Sequence, residues 1–351
     1  MKKQFPLLDL GKIVSALLIV YIHVPFFLSI NEILNYWVML IARVAVPFFF
    51  VVSSFLYFEE YDTYETGILF SKKWVSNLLE IWIRWSGLYL IIRMIECFFY
   101  NYNFIWTLKL IIRDFVFDGI SGHLWYIPAL MFSVVFVGFL LKHFRERCVW
   151  IITIVLFIFG IVGNTYIVFM PEDIVELINK LLYCIKYTRN GLFWSPILVF
   201  SGYILHKKYN KLVKIKDKKY INFIIVLTCF LFMEGKIVST VSKNYSTYSQ
   251  DMWIFCIPLA TTIVAFLLKK SINFRRNYKY LRVMSQYIYF IHPAYIYILQ
   301  IVLYNKISIT QKSWLYYIVV VSLTLLTSSL LTKNKIVKNR ETIKDVQNGR
   351  K

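Results

Sequence analysis

The sequence predicts an all-α, polytopic integral membrane protein with about ten transmembrane helices and both termini in the cytoplasm. Two observations carry this prediction. Of the 351 residues, 59% are hydrophobic and 19% aromatic, with a mean hydropathy of +0.60, a balance too apolar for a soluble globular chain. The basic residues also alternate in side: with the N-terminus inside, the cytoplasmic segments hold 27 Lys and Arg and the opposite loops nine.

Ten runs have the length of a spanning helix, roughly 11–30, 34–57, 78–100, 124–141, 149–170, 192–206, 220–236, 252–268, 283–304 and 313–332. The first follows Met1-Lys-Lys but lacks an Ala-x-Ala-like site, so it reads as a retained helix rather than a cleaved leader. The second contains Arg43 and then Pro47, which is expected to kink it. The third carries Glu80 and Arg84 at i,i+4, and Arg93 and Glu96 at i,i+3, spacings that let each pair neutralise on one helix face. Aromatic residues open the fourth, and a basic loop through Arg145 and Arg147 precedes the fifth. The sixth is short and is extended back toward Tyr187. Glu234 lies in the seventh, and His292 with Pro293 in the ninth. The runs are long and continuous, without the ten-residue alternation of barrel strands. One membrane domain, 1–332, is expected, followed by a basic cytoplasmic tail, 333–351, that lacks apolar periodicity and is expected to be mobile.

The net charge of +21 would suit a nucleic-acid partner, but its concentration on one side of the membrane argues against that reading. Basic loops such as His206–Lys219 are expected to face anionic lipid headgroups, with His143 and His206 solvated there. The five cysteines are isolated and without CxxC pairing, so neither a disulfide framework nor a metal site is predicted. Signatures of ATP hydrolysis, dinucleotide binding, zinc proteolysis and α/β-hydrolase chemistry are absent from the sequence.

Lys12 and His23 are eleven residues apart, about 1100° of helix rotation, so they share one face about 16 Å apart. This places Lys12 at the membrane surface and His23 near mid-bilayer, where an ionisable group is costly and marks either function or a hydrogen bond to a neighbouring helix. Arg43, Glu234 and His292 are expected to face the bundle interior for the same reason. Arg43 suits either an anionic ligand or a structural partner. At the outer edge, His123 and Trp125 fit an aromatic belt or a binding site. Arg189 and Asn190 offer a guanidinium and an amide, suited to a carboxylate, a phosphate or sugar hydroxyls.

Four ordered motifs resemble the membrane acyltransferase-3 family, which includes polysaccharide O-acetyltransferases. They are Lys12 with His23, opening with Leu8-Asp-Leu-Gly-Lys-Ile, then Val44–Ser54, His123-Leu-Trp-Tyr-Ile-Pro128 and Tyr289-Phe-Ile-His-Pro293. The family usually has arginine where Lys12 stands and glycine where Ser54 stands; the first change loses a bidentate fork, the second affects packing. Asp114–Gly119, Tyr187–Gly191 and Asp251-Met-Trp-Ile are further similar to the membrane domain of vancomycin-resistance serine racemases. That domain is associated with serine uptake and precedes a racemase domain, for which this sequence is expected to leave no room.

The resemblance implies a bacterial, multi-pass cell-membrane protein that moves an acetyl group from cytoplasmic acetyl-CoA to a hydroxyl of a cell-envelope glycan. Lys12 would hold the anionic donor, and His23 would act as base or transient acyl carrier. Arg43, His123, Trp125, Arg189, Asn190, Glu234 and His292 would line the substrate route. The other reading is a transporter for a small amino acid such as serine, with Arg43 or Arg189 on its carboxylate, Glu234 on its amine, and Pro47 and Pro293 marking broken helices.

Overall fold

Prolines and turns divide the apolar sequence into thirteen α-helices in the computed structural model, which describes residues 5–62, 67–117, 119–242, 250–269, 278–303 and 313–347. In chain order these are α1 (Pro6–His23), α2 (Glu32–Ala42), α3 (Ala45–Tyr61), α4 (Gly67–Phe99), α5 (Phe104–Phe117), α6 (Tyr126–His143), α7 (Glu146–Val162), α8 (Glu172–Ile185), α9 (Ser195–Leu212), α10 (Asp217–Val241), α11 (Cys256–Lys269), α12 (Tyr278–Val302) and α13 (Ser313–Gln347). Short 3₁₀ helices cover Phe26–Ser29 and Thr165–Phe169, and no strand occurs among the described residues.

Among the described residues, five runs are long and apolar enough to cross a membrane: Pro6–His23, Glu32–Tyr61, Tyr126–His143, Asp217–Val241 and Trp314–Val337. Many of their large apolar side chains are exposed, as on helices surrounded by lipid rather than water.

Several boundaries differ from the sequence reading. The first helix stops at His23 instead of running to residue 30, because Pro25 disfavours helical backbone at Val24, whose φ is −138°. His23 therefore closes α1 and is exposed, whereas Lys12, expected at the surface, lies in the helix and is 9% exposed. The second run breaks at Arg43 and Val44, ahead of Pro47. Pro47 is the third residue of α3, where a helix leaves its N–H unbonded, so the ring costs nothing there. Helices α5 and α8 occupy segments read as outer loops. The tail residues from 333 to Gln347 continue α13 rather than leaving the helix.

The chain divides into two compact units, Met1–Ala45 with Lys270–Lys351, and Val46–Lys269. In the first, α1 packs along α12 and α12 along α13, so residues distant in sequence share a seam. In the second, α9 is the central helix, touching α6, α7 and α11. Eight consecutive residues, Ser195–Gly202, are buried. Gly202 lets α9 meet α3 closely: a Cβ there would fall 2.0 Å from the Ser54 hydroxyl and 2.7 Å from the Val51 carbonyl.

Candidate functional site

Charge enters the first unit as a compact cluster. Asp9 and Lys12 stand one turn apart on α1, and both are buried; Lys12 Nζ donates to Asp9 Oδ1 at 3.2 Å. From α12, Arg282 donates to both oxygens of the same carboxylate, each at 3.0 Å. Buried charges require partners, and one acid here serves two cations. The cluster therefore carries a formal +1 (one acid, two bases), and half-exposed Arg282 opens it to an anion.

At the other end of α1, His23 meets His292 of α12, ring centroids 5.2 Å apart and tilted by 40°. His292 is completely buried, and its Nδ1 lies 3.0 Å from the Ile288 carbonyl one turn back. A carbonyl only accepts, so Nδ1 carries a proton and the neutral ring has its lone pair on Nε2. Pro293 follows within the helix and has no N–H to donate to the Tyr289 carbonyl four residues back. Arg43 ends α2 at its C-cap, half-buried in this same unit.

The second unit gathers the remaining predicted residues around one bend. Arg189 pairs with Asp251 at 3.0 Å, and its guanidinium lies over Tyr187 at 4.5 Å and Trp125 at 5.7 Å. Trp125 stacks on Trp194, centroids 5.6 Å apart and planes within 13°. Lys186 covers Tyr187 as well, at 5.3 Å, and bonds buried Asp114, which also takes Arg113. His123 faces Ser121 at 3.0 Å through Nδ1 and sets its ring edge-on to Tyr89.

Two predicted ligands have backbone partners instead. Glu234 accepts from Tyr166 Oη at 2.7 Å and from the amides of Ile254 and Phe255 at 2.8 and 3.1 Å. Its carboxylate thereby caps the approach to α11, where unpaired N–H groups and the helix dipole favour an anion. Asn190 Oδ1 accepts from the amides of Leu192 and Phe193, and its Nδ2 donates to the Tyr187 carbonyl. The side chain shapes the turn into α9, as asparagine does in Asx turns.

The sequence reading omitted Asp9, Arg282 and Asn164. Asn164 accepts from the amides of Asp251 and Met252 at 2.8 and 3.0 Å and so holds the segment that presents Asp251. The i,i+3 spacing of Asp9 and Lys12 was a visible signal; Arg282 and Asn164 carried none. His206, expected to be solvated, instead sits on α9 with Nδ1 3.1 Å from Glu59 and Nε2 2.7 Å from Asp62. Among the described residues no three His, Cys, Asp or Glu side chains converge as metal ligands.

Residues 5–333 match the acyltransferase-3 family, described as an acyltransferase domain. Two amino-acid racemases of Enterococcus faecalis are similar to the chain. One is 30% identical over 74% of this chain and 35% of its own length, the other 24% identical over 95% and 47%. A serine/alanine racemase of Enterococcus gallinarum is 26% identical over 91% of this chain and 44% of its own. The chain thus spans between a third and a half of the length of these curated relatives. No solved structure matches it significantly.

Proposed function

The chain belongs to the acyltransferase-3 family over nearly its whole length, and from that premise we propose that it moves an acetyl group from cytoplasmic acetyl-CoA to a hydroxyl of a cell-envelope glycan. The observation that carries this reading is the His23–His292 contact, in the same unit and on the same helix pair as the Asp9–Lys12–Arg282 cluster. An elongated donor would place its phosphates at the cationic cluster and its thioester about 16 Å along α1, at His23. His23 would take the proton of the acceptor hydroxyl; the new C–O bond forms, the C–S bond breaks, and the thiolate recovers the proton. Ten spans with both termini inside, in a bacterial plasma membrane, would bring the cluster to the donor side. Arg43, in the same unit as His23, is assigned to the acceptor.

A second reading has one observation in its favour: the relatives are named for amino acids, and Arg189 and Asp251 present opposite charges between aromatic walls. In that reading the chain carries a small amino acid such as serine, with Asp251 rather than Glu234 on the amine. The test is His23→Ala in membranes supplied with radiolabelled acetyl-CoA. The acyltransferase reading expects transfer to envelope glycan to fall by more than about 100-fold while the variant inserts normally. Undiminished labelling, together with serine uptake by wild-type proteoliposomes lacking any acyl donor, would favour the transporter.

A further inference from the structure

We propose that His292 is the proton partner of His23, a positioning residue that acts through it; this rests on the acyltransferase reading above. The two imidazoles approach from α1 and α12 with centroids 5.2 Å apart, close enough for their edges to meet. Their exposures divide the work. His23 ends its helix and is exposed, so a substrate can reach it, whereas His292 is 0% exposed and meets chemistry only through a neighbour. The Ile288 carbonyl fixes the tautomer of His292, because its Nδ1–H donates there and Nε2 is left as the basic nitrogen of the neutral ring. Tyr289 on α12 has its ring 6.4 Å from His292, and Tyr316 on α13 donates to the Ile296 carbonyl one turn further along α12.

A His23 N–H turned toward Nε2 of His292 would make the pair a base oriented by a second group, with an imidazole where a carboxylate more often stands. When one nitrogen of His23 takes the acceptor's proton, the N–H on its other nitrogen donates to Nε2 of His292, whose Nδ1–H donates to the Ile288 carbonyl: a hydrogen-bond relay in which the charge stays on His23 and His292 remains neutral. His23 then gives the proton to the leaving thiolate, so both histidines end as they began.

Asparagine separates this role from packing, since its amide can keep the bond to the Ile288 carbonyl but offers nothing at the position of Nε2. Full-length protein in proteoliposomes, with radiolabelled acetyl-CoA and envelope glycan, is compared as wild type, His23→Ala, His292→Ala and His292→Asn. A relay predicts that both His292 variants lose about 100-fold in kcat with KM for acetyl-CoA unchanged, and that added imidazole partly restores His292→Ala. A packing role predicts that His292→Asn turns over like wild type, and that result overturns the proposal. If His23→Ala also transfers label at the wild-type rate, or wild type transfers none, the acyltransferase reading falls and the relay with it. If His23→Ala is inactive and His292→Asn is normal, only the relay falls. Melting midpoints of the four proteins identify any variant that has lost its fold; His292→Asn, which keeps the anchor, then decides alone.

Discussion

The α1–α12 seam and the bend around Arg189 contain the same kinds of residue, yet they use them differently. Along the seam, titratable side chains face one another: two imidazoles at one end, two cations on one carboxylate at the other. In the bend, polar side chains serve the backbone or one another. Glu234 and Asn164 hold the amides of residues 251, 252, 254 and 255, Asn190 shapes a turn, and Arg189 is paired with Asp251. The difference teaches that an ionisable residue at membrane depth identifies a site only after its partners are known. An acid that accepts three hydrogen bonds has its chemistry committed to structure.

The strongest way to break this contrast is Glu234→Ala. It strands two backbone amides and a phenol in a buried setting, and should cost about 3 kcal/mol or more of stability. Thermal unfolding of the solubilised protein reads this as a clear fall in midpoint, whereas His23→Ala should move the midpoint little. Equal midpoints for the two variants would erase the distinction between the regions.

A smaller effect sharpens it. Removing either Arg189 or Asp251 leaves its partner mostly buried without a counter-charge, so the double Arg189→Ala, Asp251→Ala variant should be less damaged than the two singles sum to. The expected coupling is about 1 to 3 kcal/mol from a double-mutant cycle, and additive losses would show the pair to be incidental.

The smallest effect lies outside both regions, at Glu146, whose carboxylate receives hydrogen bonds from Lys207 and from Tyr203. The Lys207 hydrogen bond holds this carboxyl below the usual carboxylate range. A folded-state value below the unfolded one contributes stability that is present above about pH 4.3 and is lost as pH falls through the folded value. Both side chains are more than a third exposed, so the contribution is screened and should be below about 1 kcal/mol. Glu146→Gln should accordingly flatten stability slightly in the acid range and leave it unchanged near neutrality, as measured by melting midpoints across pH.

The sequence made α1 and its histidine legible because spacing on a helix is a one-dimensional property. Lys12 and His23 declared a common face, and Asp9 stands one turn before Lys12. It left Arg282 among loop cations, since nothing local says that α12 brings it back to Asp9. Glu234 was visible as a buried acid, but its partners are amides, which every residue possesses, so their identity waits on the fold. His206 was misread for a similar reason: its two carboxylates belong to the far end of α3, about 145 positions earlier in the chain. Helix ends followed local steric rules where proline was decisive, as at Pro25. At Pro47 they followed the position of the residue within the turn.

The close crossing of α3 and α9 bears on how this chain can vary over time. Ser54 returns its hydroxyl to the carbonyls of Phe50 and Val51, so it asks nothing of α9 except room. Gly202 supplies that room, with space for no more than a hydrogen atom. The backbone of α3 imposes the same limit, since the Val51 carbonyl and the Phe55 amide nitrogen would lie 2.7 and 2.9 Å from a Cβ at 202. Position 202 is thereby held at glycine whatever residue occupies 54, and any enlargement there would separate the two helices, whereas 54 can vary wherever its side chain folds back on its own helix.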